Sequence, residues 1–110
     1  MKAVLKKSSA QEPFTFSFVD VDGKMVVKSE NYAAKKSALN GIESVRKNCQ
    51  QDGRYEMKEA KNGKYYFNVK ASNGQVVATS AMFGSEADRD EAIAKLKNQA
   101  PTAELQDQEG

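Results

Sequence analysis

Phe14-Thr15-Phe16-Ser17-Phe18-Val19-Asp20-Val21-Asp22-Gly23-Lys24-Met25-Val26-Val27-Lys28-Ser29 returns, gap-free, as Tyr65-Tyr66-Phe67-Asn68-Val69-Lys70-Ala71-Ser72-Asn73-Gly74-Gln75-Val76-Val77-Ala78-Thr79-Ser80. A shift of 51 residues puts Phe16 on Phe67, Gly23 on Gly74, Val26 on Val77 and Ser29 on Ser80. The same shift puts Tyr32 on Phe83, Ile42 on Ile93, Val45 on Leu96 and Arg46 on Lys97. A repeat of this length fixes the architecture and makes each copy a control for the other.

Within each copy aromatic and polar residues alternate, as in a half-buried strand. Each run meets Asp22-Gly23 or Asn73-Gly74, a pair that suits a two-residue type I′ hairpin turn. Such a turn sets Phe18 opposite Val27 and Val69 opposite Ala78. Phe16, Phe18, Met25 and Val27 then share a core face with Phe67, Val69, Val76 and Ala78. The opposite face receives Thr15, Ser17, Val19, Val26 and Lys28 from one copy, and Tyr66, Asn68, Lys70, Val77 and Thr79 from the other.

A helix follows each hairpin. Ala38, Leu39, Ile42, Val45 and Cys49 form one stripe, and Ala92, Ile93, Leu96 and Ala100 form the second. Ser85 with Asp88 marks a helix start, and Pro101 marks a stop. Gly41 stands where the second copy has Ala92; close approach of helix to sheet would justify it. Ala3–Lys7, Tyr55–Glu59 and Ala103–Asp107 read as further strands, with Asn62-Gly63 as a third tight turn. The expected fold is α+β. It is one domain over residues 1–110, with repeats at about 3–54 and 55–107, in the order βββα-βββα-β. Its single antiparallel sheet carries both helices on one face, and the last few residues are expected to fray.

Gly41-Ile42-Glu43-Ser44-Val45-Arg46-Lys47-Asn48, Asn62-Gly63-Lys64-Tyr65-Tyr66-Phe67-Asn68-Val69-Lys70-Ala71 and Asn73-Gly74-Gln75-Val76-Val77 carry a resemblance over nearly the whole chain. It resembles the YegP-like family of small bacterial and phage-associated domains of uncharacterised function. The resemblance implies a duplicated β-α unit in one sheet, with C-terminal strands exchanged between units. One-copy members would pair as dimers, so this chain would be a monomer with internal pseudo-two-fold symmetry. Asp22-Gly23 departs from the family's Asn-Gly, a change the turn tolerates. The family brings no catalytic residues.

Composition narrows the chemistry. A net charge of +2 with 29% charged residues falls short of a dedicated nucleic-acid binder. There is no histidine, and Cys49 is the sole cysteine; an internal disulfide is excluded, and a cytoplasmic location is the simpler reading. Met1–Lys7 lacks an apolar run for a signal peptide or membrane span. Cys49 has no histidine base, and its repeat mate is Ala100, so it reads as a small packing residue. Asp20-Val21-Asp22-Gly23 resembles a calcium-loop fragment, yet Phe18 stands where a carboxylate is needed; it reads as a turn. Lys35-Lys36, Arg46-Lys47, Lys95 and Lys97 are balanced by nearby acids and read as solvated helix faces. No cofactor, metal or catalytic set is expected.

What remains is a surface. Thr15, Ser17, Val26, Lys28, Tyr66, Asn68, Lys70, Val77 and Thr79 form a candidate interaction face whose plain alternative is a solvated sheet. The favoured reading is a non-enzymatic module binding a protein or peptide through that face or a strand edge. The alternative is weak nucleic-acid binding, with Tyr66 stacking a base among lysines. An enzyme is the third class, and no pair of carboxylates, lysines or tyrosines recurs in both copies to support it.

Overall fold

The computed structural model describes residues 1–9 and 11–108. Its elements follow the repeat: β1 (Lys2–Lys7), β2 (Phe14–Val19), β3 (Met25–Lys28), α1 (Lys35–Asn48), β4 (Tyr55–Glu59), β5 (Tyr65–Lys70), β6 (Val76–Ser80), α2 (Glu86–Gln99) and β7 (Glu104–Asp107). Among the described residues seven strands make one sheet in the order β4-β5-β6-β3-β2-β1-β7. The β3–β6 seam pairs Lys28 with Thr79. Those two are repeat mates, so the internal pseudo-dyad passes between them. Part of the chain end expected to fray lies outside the described residues; Gln108 N still donates to Leu5 O at 2.8 Å.

Phe16, Phe18, Val27, Phe67 and Val69 are buried as expected, and they meet Ile42, Val45 and Leu96 from the helix stripes. Each large side chain so buried contributes about 1.5–3 kcal/mol. Ser85 caps α2 by accepting from Asp88 N at 3.1 Å, whereas Ala34 before α1 offers no side-chain cap. Pro101 enters a 3-10 turn, Ala100–Thr102, directly after α2. Gly41 does lie against the sheet: a Cβ there would sit 2.7 Å from Phe16 Cε2 and 2.8 Å from the Tyr32 hydroxyl.

Two expectations change. The turns are not type I′, which needs positive φ at both central residues; among the described residues only Gly23, Gly63 and Gly74 have positive φ. Gly23 N donates to Asp20 O and Asp20 N to Lys24 O, which makes a type I turn closed by a left-handed glycine. The same bonds recur at Ala60–Lys64 and Ala71–Gln75. In β2–β3 and β5–β6 this shorter register is then cancelled by a bulge. Phe18 pairs with Val27 but Val19 with Met25, and Val69 pairs with Ala78 but Lys70 with Val76. The bulged residues are Val26 and Val77, and both turn toward the helices. Val26 is 5% exposed in the core while Met25, placed there by simple alternation, is 37% exposed. Val77 packs against the core cluster, and Val76 takes the open face beside Lys70. Val26 and Val77 therefore leave the candidate surface, and Met25 and Val76 replace them.

The second change is at the sheet's end. Every pairing is antiparallel except β1 with β7, which is parallel. The strand after α1, β4, lies antiparallel on β5, the first strand of the next hairpin. By symmetry the strand after α2 would lie antiparallel on β2. That place is filled by β1, which already runs antiparallel to β2. β7 keeps its direction, adds outside β1 and so runs parallel to it.

Candidate functional site

Register places one row of open-face residues across all seven strands: Glu56, Asn68, Thr79, Lys28, Ser17, Val4 and Gln106, each paired with the next. Four of the predicted surface residues are thus consecutive neighbours: Asn68, Thr79, Lys28 and Ser17. Thr15 and Tyr66 sit on opposite sides of this row, paired with Lys6 and Lys58. Val4, Gln106 and Glu56 were not in the predicted set. Val4 and Glu56 follow from the β1–β2 and β4–β5 registers and Gln106 from the parallel β1–β7 register, and the Asn62-Gly63 turn was the available signal for Glu56.

The two halves of the face differ chemically. In the second half Glu56 is a hub. It accepts from Asn68 Nδ2 at 3.0 Å and pairs with Lys70 at 2.8 Å and Lys58 at 3.8 Å. Thr79 Oγ1 donates to Asn68 Oδ1 at 2.8 Å. The Lys70 bond first, and the Asn68 amide second, pull the Glu56 carboxyl down to about 2. Lys70 is therefore committed to a carboxylate. In the first half an open groove of about 600 Å³ crosses β2, β1 and β7, with Val4 and Val19 inside and Lys2, Lys6 and Glu104 at its sides.

The two ends of the sheet differ as well. β1 and β4 are counterparts, since Ala3 faces Phe18 as Tyr55 faces Val69. β1 is covered by β7, but β4 ends the sheet. The Ala60 N to Lys64 O bond sets the alternation in β4, so Tyr55, Met57 and Glu59 turn N–H and C=O to the free edge. Leu5 is fully buried, and its counterpart Met57 is 56% exposed.

The other candidates fold as parts of the scaffold. Cys49 is buried with Sγ 3.4 Å from Arg46 O, and burial pushes its thiol up to about 11. Asp20 Oδ1 accepts from Asp22 N and Lys24 N at 2.9 and 3.0 Å, and these backbone bonds, that from Lys24 first, lower its carboxyl. The role of Ser29 and Ser80 was missed, although the repeat aligned them. Ser29 Oγ accepts from Phe16 N, and Ser80 Oγ from Phe67 N, each at 2.9 Å in buried surroundings. They extend the ladder where the chain departs from it.

Among the described residues no helix is long and apolar enough to cross a membrane. A family model described as a domain of unknown function, DUF1508, matches residues 9–56 and again 60–107. A UPF0339 protein of Pseudomonas aeruginosa is 44% identical over 93% of each chain. YegP of Escherichia coli K12 is 41% identical over 94% of this chain and 93% of its own. The solution structure of E. coli YegP, a protein of unknown function, superposes with a TM-score of 0.91 at 39% identity, covering 99% of this chain and 93% of that one. A Shewanella oneidensis UPF0339 protein gives 0.89 at 40% identity, covering 96% and 89%. With both halves matched and the fold shared, this chain belongs to the DUF1508 family of YegP-like proteins, in its two-copy form.

Proposed function

We propose that the protein is a non-enzymatic, monomeric interaction module of the cytoplasm that takes a protein or peptide segment at its free sheet edge. One observation carries the reading: β4 ends the sheet while its counterpart β1 is capped by β7. Edge strands with outward N–H and C=O groups are templates for strand addition. The open face is the second surface of the same module. Nucleic-acid binding has less support, because Lys70 and Lys58, the cross-strand neighbour of Tyr66, both pair with Glu56.

The test compares native captures by three proteins. Met57→Pro deletes an outward N–H without breaking the β4–β5 ladder, a position where an edge strand accepts proline. A Tyr66→Ala, Lys70→Glu variant alters the open face. Partners held by the wild type and lost from Met57→Pro support the edge. Partners lost only from the second variant transfer the function to the face. Identical captures from all three would remove both surfaces from consideration.

A further inference from the structure

The capped edge shows what a cap requires. β7 lies parallel to β1 with Leu105 opposite Ala3 and Asp107 opposite Leu5. Asp107 reaches over the helix side to Lys35, with Oδ2 2.6 Å from Nζ. At this end β1 and α1 present Lys7 and Lys35, and the cap is acidic.

The pseudo-dyad carries this geometry to β4. There Tyr55 stands for Ala3 and Met57 for Leu5. Lys35 is replaced by Glu86, at the start of α2, and Lys7 by Glu59, at the end of β4. Both positions have reversed sign and both are exposed. Both carboxylates act on Tyr65 between them, and together they raise its phenol, Glu59 foremost. Arg89 is nearby, but its guanidinium lies over the Tyr65 ring at 5.7 Å and its Nε is 3.3 Å from Asp90.

We infer that the free edge is built for an extended segment running parallel to β4, apolar opposite Tyr55 and basic opposite Met57 and Glu59. The inference rests on the edge reading and adds direction, register and charge to it. The apolar residue would lie beside Tyr55, as Leu105 lies beside Ala3, and the basic residues would meet Glu86 and Glu59. A second copy's own β7 is the wrong cap, because its Asp107 would face Glu86. The occupant is a basic-apolar segment of another protein.

Two synthetic octapeptides test this by amide shift mapping on the full-length protein. One reproduces residues 103–110; the other carries the changes Asp107→Lys and Glu109→Lys. The lysine peptide is expected to shift the Tyr55, Met57 and Glu59 amides and to bind roughly five-fold more tightly than its acidic twin. The preference should shrink as salt rises and invert in a Glu59→Lys, Glu86→Lys protein that retains its melting temperature. Equal binding of both peptides at β4 would overturn the charge rule and leave the edge reading intact. Shifts confined to Ser17, Lys28 and Thr79, or no shifts at millimolar peptide, would overturn both. Dimerisation abolished by Met57→Pro would assign the edge to a second copy and also overturn the inference.

Discussion

The hydroxyl of Tyr32 lies 2.8 Å from the point where a Cβ on Gly41 would stand. The second copy makes the reverse choice, with Phe83 lacking the hydroxyl and Ala92 supplying the methyl. Tyr32 stacks on Phe16 and Phe83 on Phe67, at centroid distances of 6.2 and 6.4 Å. Oxygen and methyl are alternative fillings of one space. Gly41→Ala should destabilise by about 1–2 kcal/mol, since overpacking outweighs the gain in helix propensity. In a Tyr32→Phe background the cost should fall, so that in a urea-unfolding double-mutant cycle the double mutant loses less stability than the two single costs summed. Additive costs would show that the hydroxyl is not the obstacle.

The two buried serines should be equivalent. Ser29→Ala and Ser80→Ala each strand a buried amide, on Phe16 and Phe67, and should cost about 1–3 kcal/mol apiece. Hydrogen exchange at those two amides should accelerate selectively. Unchanged protection would mean that another acceptor takes over.

Glu56 sets an acid limit. Its folded value, about 2, lies below the ordinary 4.5, so its contribution is present above roughly pH 4.5 and is lost as pH falls toward 2. Lys70→Met, removing the largest cause, should raise the Glu56 midpoint in a carboxyl-shift titration. A midpoint that stays near 2 would leave Asn68 as the dominant partner.

Cys49 acts at the other end of the scale. Burial lifts its thiol from 9 to about 11, so the stabilising contribution is whole below pH 9 and disappears as pH rises from 9 to 11. Thiol labelling at pH 8 should proceed only through unfolding, in step with added urea. Cys49→Ala, which copies Ala100, should lose little stability. Rapid labelling of the native protein would contradict the buried geometry.

The turn glycines are interchangeable in a way that packing cannot explain. Gly23 and Gly74 have φ of 82° and 85° with nothing within 4 Å of an added Cβ. Alanine at either should cost about 1–2 kcal/mol from backbone conformation alone, and asparagine less. Unequal costs in equilibrium unfolding would point to a neighbour that the turn geometry does not include.

Much of this architecture could be read from residues. Alternation at Phe14–Phe18 and the stripe at Ala38–Cys49 placed strands and helices within a residue or two. Phe18 opposite Val27 also held. Alternation failed at Met25 and Val26, because a three-residue loop and a bulge cancel in register while exchanging two side chains between faces. Nothing local in Met-Val-Val announces the extra residue. The Glu56 hub was hidden for another reason: a carboxylate's partners depend on pairing across β4 and β5, which becomes visible only after the turn fixes the register. The parallel β7 depended on β1 having claimed the neighbouring place first, a competition between distant segments.

Lys28 opposite Thr79 has a consequence for how such a molecule can vary. Two separate identical subunits meeting on that axis would set the residue at position 28 against its own image, and a lysine would have to oppose a lysine. Joining the units in one polypeptide lifts this requirement. One half can hold a cation while the other holds a hydroxyl, and the position on the axis no longer has to suit a copy of itself.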